Sequence, residues 1–239
     1  MTNDVPIIEA RELHTYYGAS HILQGVDFFI RAGEAVGLMG RNGMGKTTLI
    51  RSLLGQVQPR RGEVKINGRI MTRAAAHLIA RQGIGYVPEG RGIFPNLTVR
   101  ENLIMAARAA PSGRRDWTYE RVLKTFPRLS ERLSQGGQQL SGGEQQMLSI
   151  GRALMTNPIL LILDEATEGL APLIAKEIWR IVRTIRESGI AAIIVDKNFA
   201  ALSALTDRNV ILVKGRVVFK GTGNDLRKQP ELLHQHLGI

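Results

Sequence analysis

The sequence contains no cysteine, which excludes disulfide bonds and thiolate metal sites. It also has no apolar run of the roughly 18 residues needed to span a bilayer, since its longest runs are short stretches such as ILLIL and IAAIIV. The amino-terminal segment carries an early acid and no apolar core, so we expect no secretory signal. Internal repeats and low-complexity tracts are missing too. A disulfide-dense scaffold and a membrane-spanning chain are therefore excluded.

What is present is the composition of an ordinary folded chain. The 239 residues are 44% hydrophobic and 22% charged, which argues against both disorder and a fibrous repeat. This length suits one large domain, or a domain with a sub-lobe, and can bury a substantial core.

The formal net charge of +11 is unevenly distributed. Residues 60–132 contain fifteen Lys and Arg against six Asp and Glu. This excess permits a face near anionic lipid or nucleic acid. An Arg-rich solvated surface accounts for it equally well, because the basic residues are scattered rather than grouped in one block.

Three short segments are continuously apolar, as strands covered on both faces must be: EAVGLMG, ILLILDE and AAIIVDK. They predict a central parallel sheet. The opening third instead mixes alternating apolar residues with glycine-bounded turns, and Asn67-Gly68 is expected to close a hairpin. This pattern predicts antiparallel strands before the central sheet.

Helices are expected between and after the apolar strands. TVRENLIMAARAA, YERVLKTFPRLSERL and GGEQQMLSIGRALMTNP have apolar residues at helical spacing. A further amphipathic helix should begin near Pro172 and end before Gly189, giving a strand–helix–strand crossover.

The segment GRNGMGKTT has the pattern of a phosphate-binding loop, because it follows a buried strand and opens a helix. Glycines let backbone N–H groups curl around a phosphate, Lys46 supplies a point charge, and Thr47 can offer its hydroxyl to Mg²⁺. A glycine-rich turn without a ligand is the alternative. The predicted ATP-binding residues of this loop are Gly40, Arg41, Asn42, Gly43, Met44, Gly45, Lys46, Thr47 and Thr48.

A second buried strand, LLILDE, ends in two acids. We expect Asp164 to lie near Mg²⁺ and Glu165 to polarise the attacking water. A strand ending in two acids is weak evidence by itself, but together with the Lys46 loop it indicates nucleotide hydrolysis.

The segment LSGGEQQ resembles the signature of the ATP-binding subunits of ABC proteins, a serine and two glycines at a helix amino terminus. The resemblance implies a dimer in which Ser141, Gly142, Gly143 and Glu144 of one subunit face the γ-phosphate bound by the Lys46 loop of the other. A helix start with an exposed hydroxyl also suits an anion on physical grounds. A helix cap without a ligand is the alternative.

This resemblance covers the whole chain and implies its fold and domains. The expected fold is α/β, with a phosphate-loop NTPase core around a mainly parallel sheet, an amino-terminal antiparallel β subdomain and an inserted helical signature subdomain. One domain would span residues 1–239, with the β subdomain and core at about 1–90 and 156–239 and the helical subdomain at 91–155.

Other family positions can be matched individually. Tyr17 resembles the aromatic residue that stacks on adenine, with Tyr16 as the competing choice, and Glu89 occupies the place of a family Gln that touches Mg²⁺. Lys197 replaces a family His or Gln at the γ-phosphate, and Ala171 replaces an Asp. Lys197 either binds the γ-phosphate, as a third catalytic residue beside Lys46 and Glu165, or turns to solvent or to Asp196.

The motifs PEGR, EGLAP and the carboxyl-terminal LGI together resemble those of one branch of this family, the LivF-type ATP-binding subunits of branched-chain amino acid importers. Related ATP-binding subunits of urea and amide importers share these motifs. Either branch implies ATP and Mg²⁺ as cofactors, a membrane permease, a second ATP-binding subunit and an extracytoplasmic solute-binding protein. It also implies a peripheral position on the cytoplasmic face of the membrane, and no nucleic acid partner.

Two other functions fit the phosphate-binding loop less well. A soluble ABC ATPase of chromosomes would need a long coiled coil between Lys46 and Ser141, and the spacing leaves no room for one, while translation-type members usually carry two ATPase domains. A small-molecule kinase must exclude water, whereas Glu165 is expected to activate it.

Overall fold

The computed structural model describes residues 5–237, and within this range it contains ten strands, ten α-helices and one 3₁₀ helix (Gly137–Gln139). In chain order, the strands and α-helices are β1 (Ile8–Tyr17), β2 (Ser20–Ile30), β3 (Ala35–Met39), α1 (Lys46–Leu53), β4 (Arg61–Ile66), β5 (Arg69–Ile70), α2 (Ala76–Ala80), β6 (Ile84–Val87), α3 (Val99–Ala106), α4 (Tyr119–Thr125), α5 (Pro127–Ser130), α6 (Gly142–Met155), β7 (Leu160–Asp164), α7 (Pro172–Glu187), β8 (Ala191–Val195), α8 (Phe199–Leu205), β9 (Arg208–Val213), β10 (Arg216–Gly221), α9 (Gly223–Arg227) and α10 (Pro230–Leu237). The carboxyl-terminal LGI used in the sequence comparison extends beyond the described residues.

The chain divides into two compact units, and the first consists of residues 1–82 and 191–239. Its opening strands form an antiparallel sheet in the order β2-β1-β4-β5, with Ile8 opposite both Ile30 and Ile66. All three side chains are buried, because the apolar residues of these strands point to one face. The hairpin predicted at Asn67-Gly68 joins β4 to β5, and both residues have the positive φ of a tight hairpin turn.

Parallel strands form the other sheet of the first unit. Strand β3 pairs in parallel with β8 on one side and β9 on the other, and β10 adds an antiparallel edge. Every residue of β3 and β8 is buried, which is why both strands are apolar throughout.

The second unit consists of residues 83–190. Strands β6 and β7 pair in parallel, and all five residues of β7 are buried. Helices α3, α4 and α5 pack on α6. Gly151 permits this packing, since a Cβ at this position would lie 3.1 Å from side-chain carbons of both Leu103 and Val122.

These elements confirm the predicted fold class. The amphipathic helix after Pro172 is present as α7, and Gly189 follows it with φ +85°. The segment YERVLKTFPRLSERL differs from one continuous helix, because Pro127 ends α4 and starts the short α5. The subdomain limits at 91–155 remain a prediction about a part of the second unit.

Residues 5–237 include no helix with the length and apolar character needed to cross a membrane.

Candidate functional site

The glycine-rich loop lies between β3 and α1 in the first unit. Gly40 has φ +142°, and a Cβ there would collide with the carbonyl oxygen of Leu212. Gly45 has φ +103° and immediately precedes α1. Both positions require glycine because an L side chain rarely adopts such backbone angles. The loop can therefore turn its N–H groups toward a ligand at the start of α1.

Lys46 is buried at the start of α1, with 6% of its surface exposed. Its Nζ atom donates hydrogen bonds to the carbonyl oxygens of Gly40 at 2.8 Å and Arg41 at 3.3 Å. The ammonium group thus lies against the loop that it is predicted to serve, and Thr47 and Thr48 follow it on the same helix.

Lys197 lines the same cavity as part of this loop. The cavity has a volume of about 400 Å³ and lies within the first unit. Its lining consists of Met39, Gly40, Arg41, Asn42, Asp196, Lys197 and Phe199. A cationic side chain therefore lines a cavity together with the first residues of the phosphate-binding loop.

The backbone at Lys197 is held in a compact turn. The Asp196 carboxylate accepts a hydrogen bond from the Asn198 N–H at 2.8 Å, and the Phe199 N–H donates to the Lys197 carbonyl at 3.0 Å. Asn198 in turn caps α8 by accepting from the Ala201 N–H at 3.0 Å. Asp196 and Asn198 thus fix the chain on both sides of Lys197.

In the second unit, β7 ends at the fully buried Asp164, to which the Tyr86 hydroxyl donates at 3.3 Å. Glu165 follows with φ +52°, a left-handed conformation that costs a non-glycine residue about 1–2 kcal/mol. The chain therefore turns directly after the buried Asp164.

Three carboxylates of the second unit form a cluster. Glu89, Glu165 and Glu168 each offer an oxygen, and these oxygens lie within 4.8 Å of one another. Carboxylates this close repel one another unless a cation offsets their charge. Oxygen donors are also the ligands that Mg²⁺ prefers, so the cluster fits a divalent cation. We name these three residues the carboxylate cluster.

Sequence reasoning missed Glu168 and Tyr86. The Glu168 N–H donates to the Glu165 carbonyl at 3.1 Å, so a tight turn returns the chain toward Glu165. The sequence did contain a signal for Glu168. In the segment DEATE, which begins at the end of a buried strand, a further acid lies three residues after Glu165.

Ser141 is the N-cap of α6, as the signature predicts. The Ser141 N–H donates to the Glu144 carboxylate at 2.8 Å, and the Glu144 N–H donates to the Ser141 hydroxyl at 3.4 Å. Arg132 adds an ion pair to Glu144, with Nε and Oε1 2.5 Å apart. Burial acts to raise the pKa of Glu144, but its bonds to Ser141 and Arg132 outweigh burial, and the pKa is lowered. Glu144 thus stabilises the cap.

The two signature glycines have contacts of their own. A Cβ on Gly143 would lie 2.5 Å from the Cγ2 atom of Ile174, so this glycine allows α6 and α7 to approach closely. A Cβ on Gly142 would lie 2.9 Å from the Nη2 atom of Arg91. Packing thus favours a small residue at Gly143, whereas a side chain at Gly142 would displace the end of the Arg91 side chain.

Tyr16 and Tyr17 have different surroundings. The Tyr16 ring stacks on His21 with ring centroids 4.1 Å apart, and the Arg60 guanidinium lies 4.4 Å from its centroid. Tyr17 is 43% exposed at the end of β1. This difference favours Tyr17 as the residue that stacks on a base.

These elements define a class of protein. A glycine-rich loop with a buried lysine joins a parallel strand to a helix, and a second buried strand ends in two acids. Together they define a nucleotide-hydrolysing protein with a phosphate-binding loop.

Comparison with known proteins identifies the family within this class. Residues 23–168, more than half of the chain, match the family described as ABC transporter. The chain belongs to the ABC transporter family, and as an ATP-binding subunit it is an ATPase.

Several relatives are similar over nearly their whole length. The high-affinity branched-chain amino acid transport ATP-binding protein BraG of Pseudomonas aeruginosa is 40% identical over 227 residues, covering 95% of this chain and 97% of its own. A probable branched-chain amino acid transport ATP-binding protein LivF of Archaeoglobus fulgidus is 34% identical, covering 95% and 97%. The lipopolysaccharide export system ATP-binding protein LptB of Haemophilus influenzae is 31% identical, covering 97% of both chains.

A solved structure agrees with the fold. The ATP-binding subunit of an ABC transporter superimposes with a TM-score of 0.81 and 34% sequence identity, over 95% of this chain and 94% of that one.

Proposed function

We propose that the protein energises the import of branched-chain or chemically related amino acids through a membrane permease. The observation that carries the proposal is the 40% identity to BraG over 95% of the chain. Its partners would be permease subunits, a second ATP-binding subunit and an extracytoplasmic solute-binding protein. The protein would lie peripherally on the cytoplasmic face of the membrane, with helices of residues 91–155 docked on the permease.

The phosphate-binding loop supports this proposal through ATP binding. The Lys46 ammonium and the N–H groups at the start of α1 would bind the phosphates, while Tyr17 would stack on adenine. Lys197 would contact the γ-phosphate from the shared cavity, which is the alternative that the lining of that cavity favours.

The acids support hydrolysis. Asp164 and Glu89 of the second unit would be ligands of Mg²⁺, and Thr47 of the first unit keeps its predicted role of offering a hydroxyl to Mg²⁺. When bound, the ion offsets the phosphate charge. Glu165 would accept a proton from the attacking water. A Glu165 carboxylate oxygen lies within 4.8 Å of one of Glu89, a proposed metal ligand, and this proximity supports the role.

The capped helix α6 supports a dimer. Ser141, Gly142 and Gly143 would bind the terminal phosphate of a nucleotide on a second subunit, and Glu144 would hold the Ser141 cap in shape. Closure around ATP and reopening after hydrolysis would move the permease, since only a difference in affinity between two states can drive such a cycle.

Replacing Glu165 tests the catalytic part. We expect Glu165→Gln to lower phosphate release at least 100-fold while ATP-dependent dimers accumulate, as light scattering would show. Glu187→Gln, at an exposed position of α7, is the matched control and should keep the parent rate. Turnover at the parent rate in Glu165→Gln would contradict the proposed role of Glu165.

Reconstitution tests the transported solute. The protein would be purified with its co-purifying subunits and placed in liposomes. We expect its ATPase rate to rise with leucine and a solute-binding protein, and not with urea or lipopolysaccharide. Stimulation by lipopolysaccharide alone would instead support the export function of the LptB relatives.

A further inference from the structure

A cavity of about 270 Å³ lies within the second unit, at the opposite end of β7 from Asp164. Pro158 and Ile159, which directly precede β7, form part of its lining. Its described lining includes none of the predicted ATP-binding, signature or metal residues. The volume is just below the range of about 300–1,000 Å³ that is typical of pockets for drug-sized ligands, so it suits a smaller molecule. We name it the Trp117 cavity.

The inner wall of the Trp117 cavity is apolar. Trp117 is only 3% exposed, Ile190 is also buried, and Ile159 is half-buried. Apolar parts of a ligand gain free energy when they leave water for such a wall. A small inorganic anion cannot make use of it, so the wall favours a ligand with an apolar body.

Hydrogen bonds to the backbone hold this wall in place. The Asn157 side-chain oxygen accepts from the Trp117 N–H at 2.7 Å, and its Nδ2 atom donates to the Arg108 carbonyl at 2.9 Å. The Ala110 N–H donates to the Arg114 carbonyl at 2.9 Å and closes a turn at the edge of the cavity. The cavity is thus formed before a ligand arrives, which lowers the entropy cost of binding.

The rim of the cavity carries two cations and one anion. Arg114 and Asp116, both exposed, form an ion pair with Nη2 and Oδ2 2.9 Å apart. Arg121 instead lies over the Trp117 ring, with its Cζ atom 4.2 Å from the ring centroid, and its Nη1 atom donates to the Asp116 carbonyl at 2.9 Å. The lining therefore has one positive charge in excess.

Arg121 is suited to bind a carboxylate. Stacking on Trp117 occupies the face of the guanidinium, whereas a carboxylate binds the N–H groups at its edge. A guanidinium has five such N–H groups, and the bond to the Asp116 carbonyl uses one of them. A bidentate bond to a carboxylate needs two of the others.

We propose that the Trp117 cavity binds a small carboxylate with an apolar body. The carboxylate pairs with Arg121, and the apolar body lies against Trp117 and Ile190. Two sources share this chemistry: a free carboxylic acid, and an apolar amino acid whose ammonium group binds Asp116. The inference goes beyond the proposed function and does not depend on it.

Tryptophan fluorescence would measure this binding at the cavity itself. The chain has two tryptophans, and Trp179→Phe leaves Trp117 as the single reporter. The buried Nε1 atom of Trp179 has no hydrogen-bond partner in the described part of the chain, so this replacement removes no hydrogen bond. We expect millimolar isocaproate, which is leucine without its amino group, to change the Trp117 emission along a saturable curve.

Two analogues separate the contributions of charge and apolar body. Isocaproamide keeps the body and lacks the charge, whereas acetate keeps the charge and lacks the body. Each should bind at least about tenfold more weakly than isocaproate, because each loses one of the two contacts.

Arg121→Gln tests the cation. It should weaken isocaproate binding at least about tenfold, since the carboxylate loses its charged partner. Arg115→Gln is the matched control, because Arg115 is an exposed arginine of the same segment that does not line the cavity. Its affinity for isocaproate, measured by calorimetry as well, should stay within about twofold of the parent value.

Leucine distinguishes the two sources of the ligand. An amino acid site should bind leucine more tightly than isocaproate, and Asp116→Asn should remove this advantage because the ammonium group loses its partner. A site for a free acid should bind leucine more weakly, since its ammonium group would lose water without a matching gain.

Three outcomes would overturn the inference. They are an absence of any saturable change with isocaproate, equal affinities for isocaproate and either acetate or inorganic phosphate, and a parent affinity in Arg121→Gln. If Arg121→Gln is too unstable to measure, the comparison of isocaproate with isocaproamide in the Trp179→Phe protein gives the decision, and equal affinities overturn the inference. None of these results affects the proposed function, which fails separately if Glu165→Gln keeps the parent rate of hydrolysis.

Discussion

The phosphate-binding loop of the first unit and the signature region of the second differ in what holds them in shape. In the loop, Gly40 and Gly45 adopt backbone angles that other residues rarely take, and Lys46 bonds to loop carbonyls. In the signature region, side chains carry the structure, with Arg132 and Ser141 bound to one carboxylate. A loop whose shape depends on backbone angles tolerates few substitutions at its glycines. In a side-chain network, by contrast, the interacting residues can be replaced together by another set that makes equivalent contacts.

The largest expected effect comes from Gly40→Ala. The added Cβ collides with the Leu212 carbonyl at a φ of +142°, so we expect the free energy of unfolding to fall by about 2–4 kcal/mol. Urea unfolding would measure the loss. Gly18→Ala is the control, because Gly18 also has positive φ but no atom within 4 Å of the added Cβ, and should lose about 1–2 kcal/mol. Equal decreases in the free energy of unfolding of the two variants would mean that the collision with the Leu212 carbonyl does not contribute.

An intermediate effect is expected from Lys197→Ala, which tests whether the Lys197 side chain adds to the ATP affinity of the phosphate-binding loop. Removing a cation from the shared cavity should weaken ATP binding about tenfold, or about 1.4 kcal/mol, and ADP binding less than twofold. Calorimetry with both nucleotides would measure this difference. Lys228→Ala, at an exposed lysine of the same unit, should change neither affinity. Equal weakening for ATP and ADP would mean that Lys197 does not contact the γ-phosphate.

The smallest effect is expected from Glu144→Gln, in the side-chain network. Loss of the ion pair to Arg132 should lower the free energy of unfolding by about 1 kcal/mol at neutral pH. Because the pKa of Glu144 is lowered in the folded protein, its stabilisation is present above the unfolded pKa of about 4.3 and is lost as the pH falls further.

The difference between parent and Glu144→Gln should therefore shrink below about pH 4.3, as thermal unfolding at several pH values would show. Glu131→Gln, at an exposed glutamate beside Arg132, serves as control and should show no such trend. A difference that stays constant at acid pH would exclude the charge of Glu144 as its source.

Local sequence patterns predict the elements that depend on local physics. The phosphate-binding loop needs glycines and a lysine at fixed spacing, and the hairpin at Asn67-Gly68 needs two positive φ angles. Both are readable from neighbouring residues. Pro127 was readable too, but the helical spacing around it pointed to a longer helix than the proline allows.

Contacts between distant residues were not predictable in the same way. The Arg91 bond to Gln145 joins positions 54 apart in the chain, and Tyr86 reaches Asp164 across 78. Each depends on how strands and helices pack, which a single sequence does not encode in any short pattern. The words PEGR and GEQQ contain Arg91 and Gln145, yet nothing in either word shows that they touch.

The bonds from Lys46 to the Gly40 and Arg41 carbonyls bear on the free energy that nucleotide binding can gain. An arriving phosphate meets an ammonium group that already has acceptors, so binding exchanges one set of oxygens for another. The free energy gained is the difference between these sets rather than the full attraction between ammonium and phosphate. When the nucleotide leaves, the ammonium group can return to the same two carbonyl oxygens, so this exchange lowers the cost of release as well as the gain of binding.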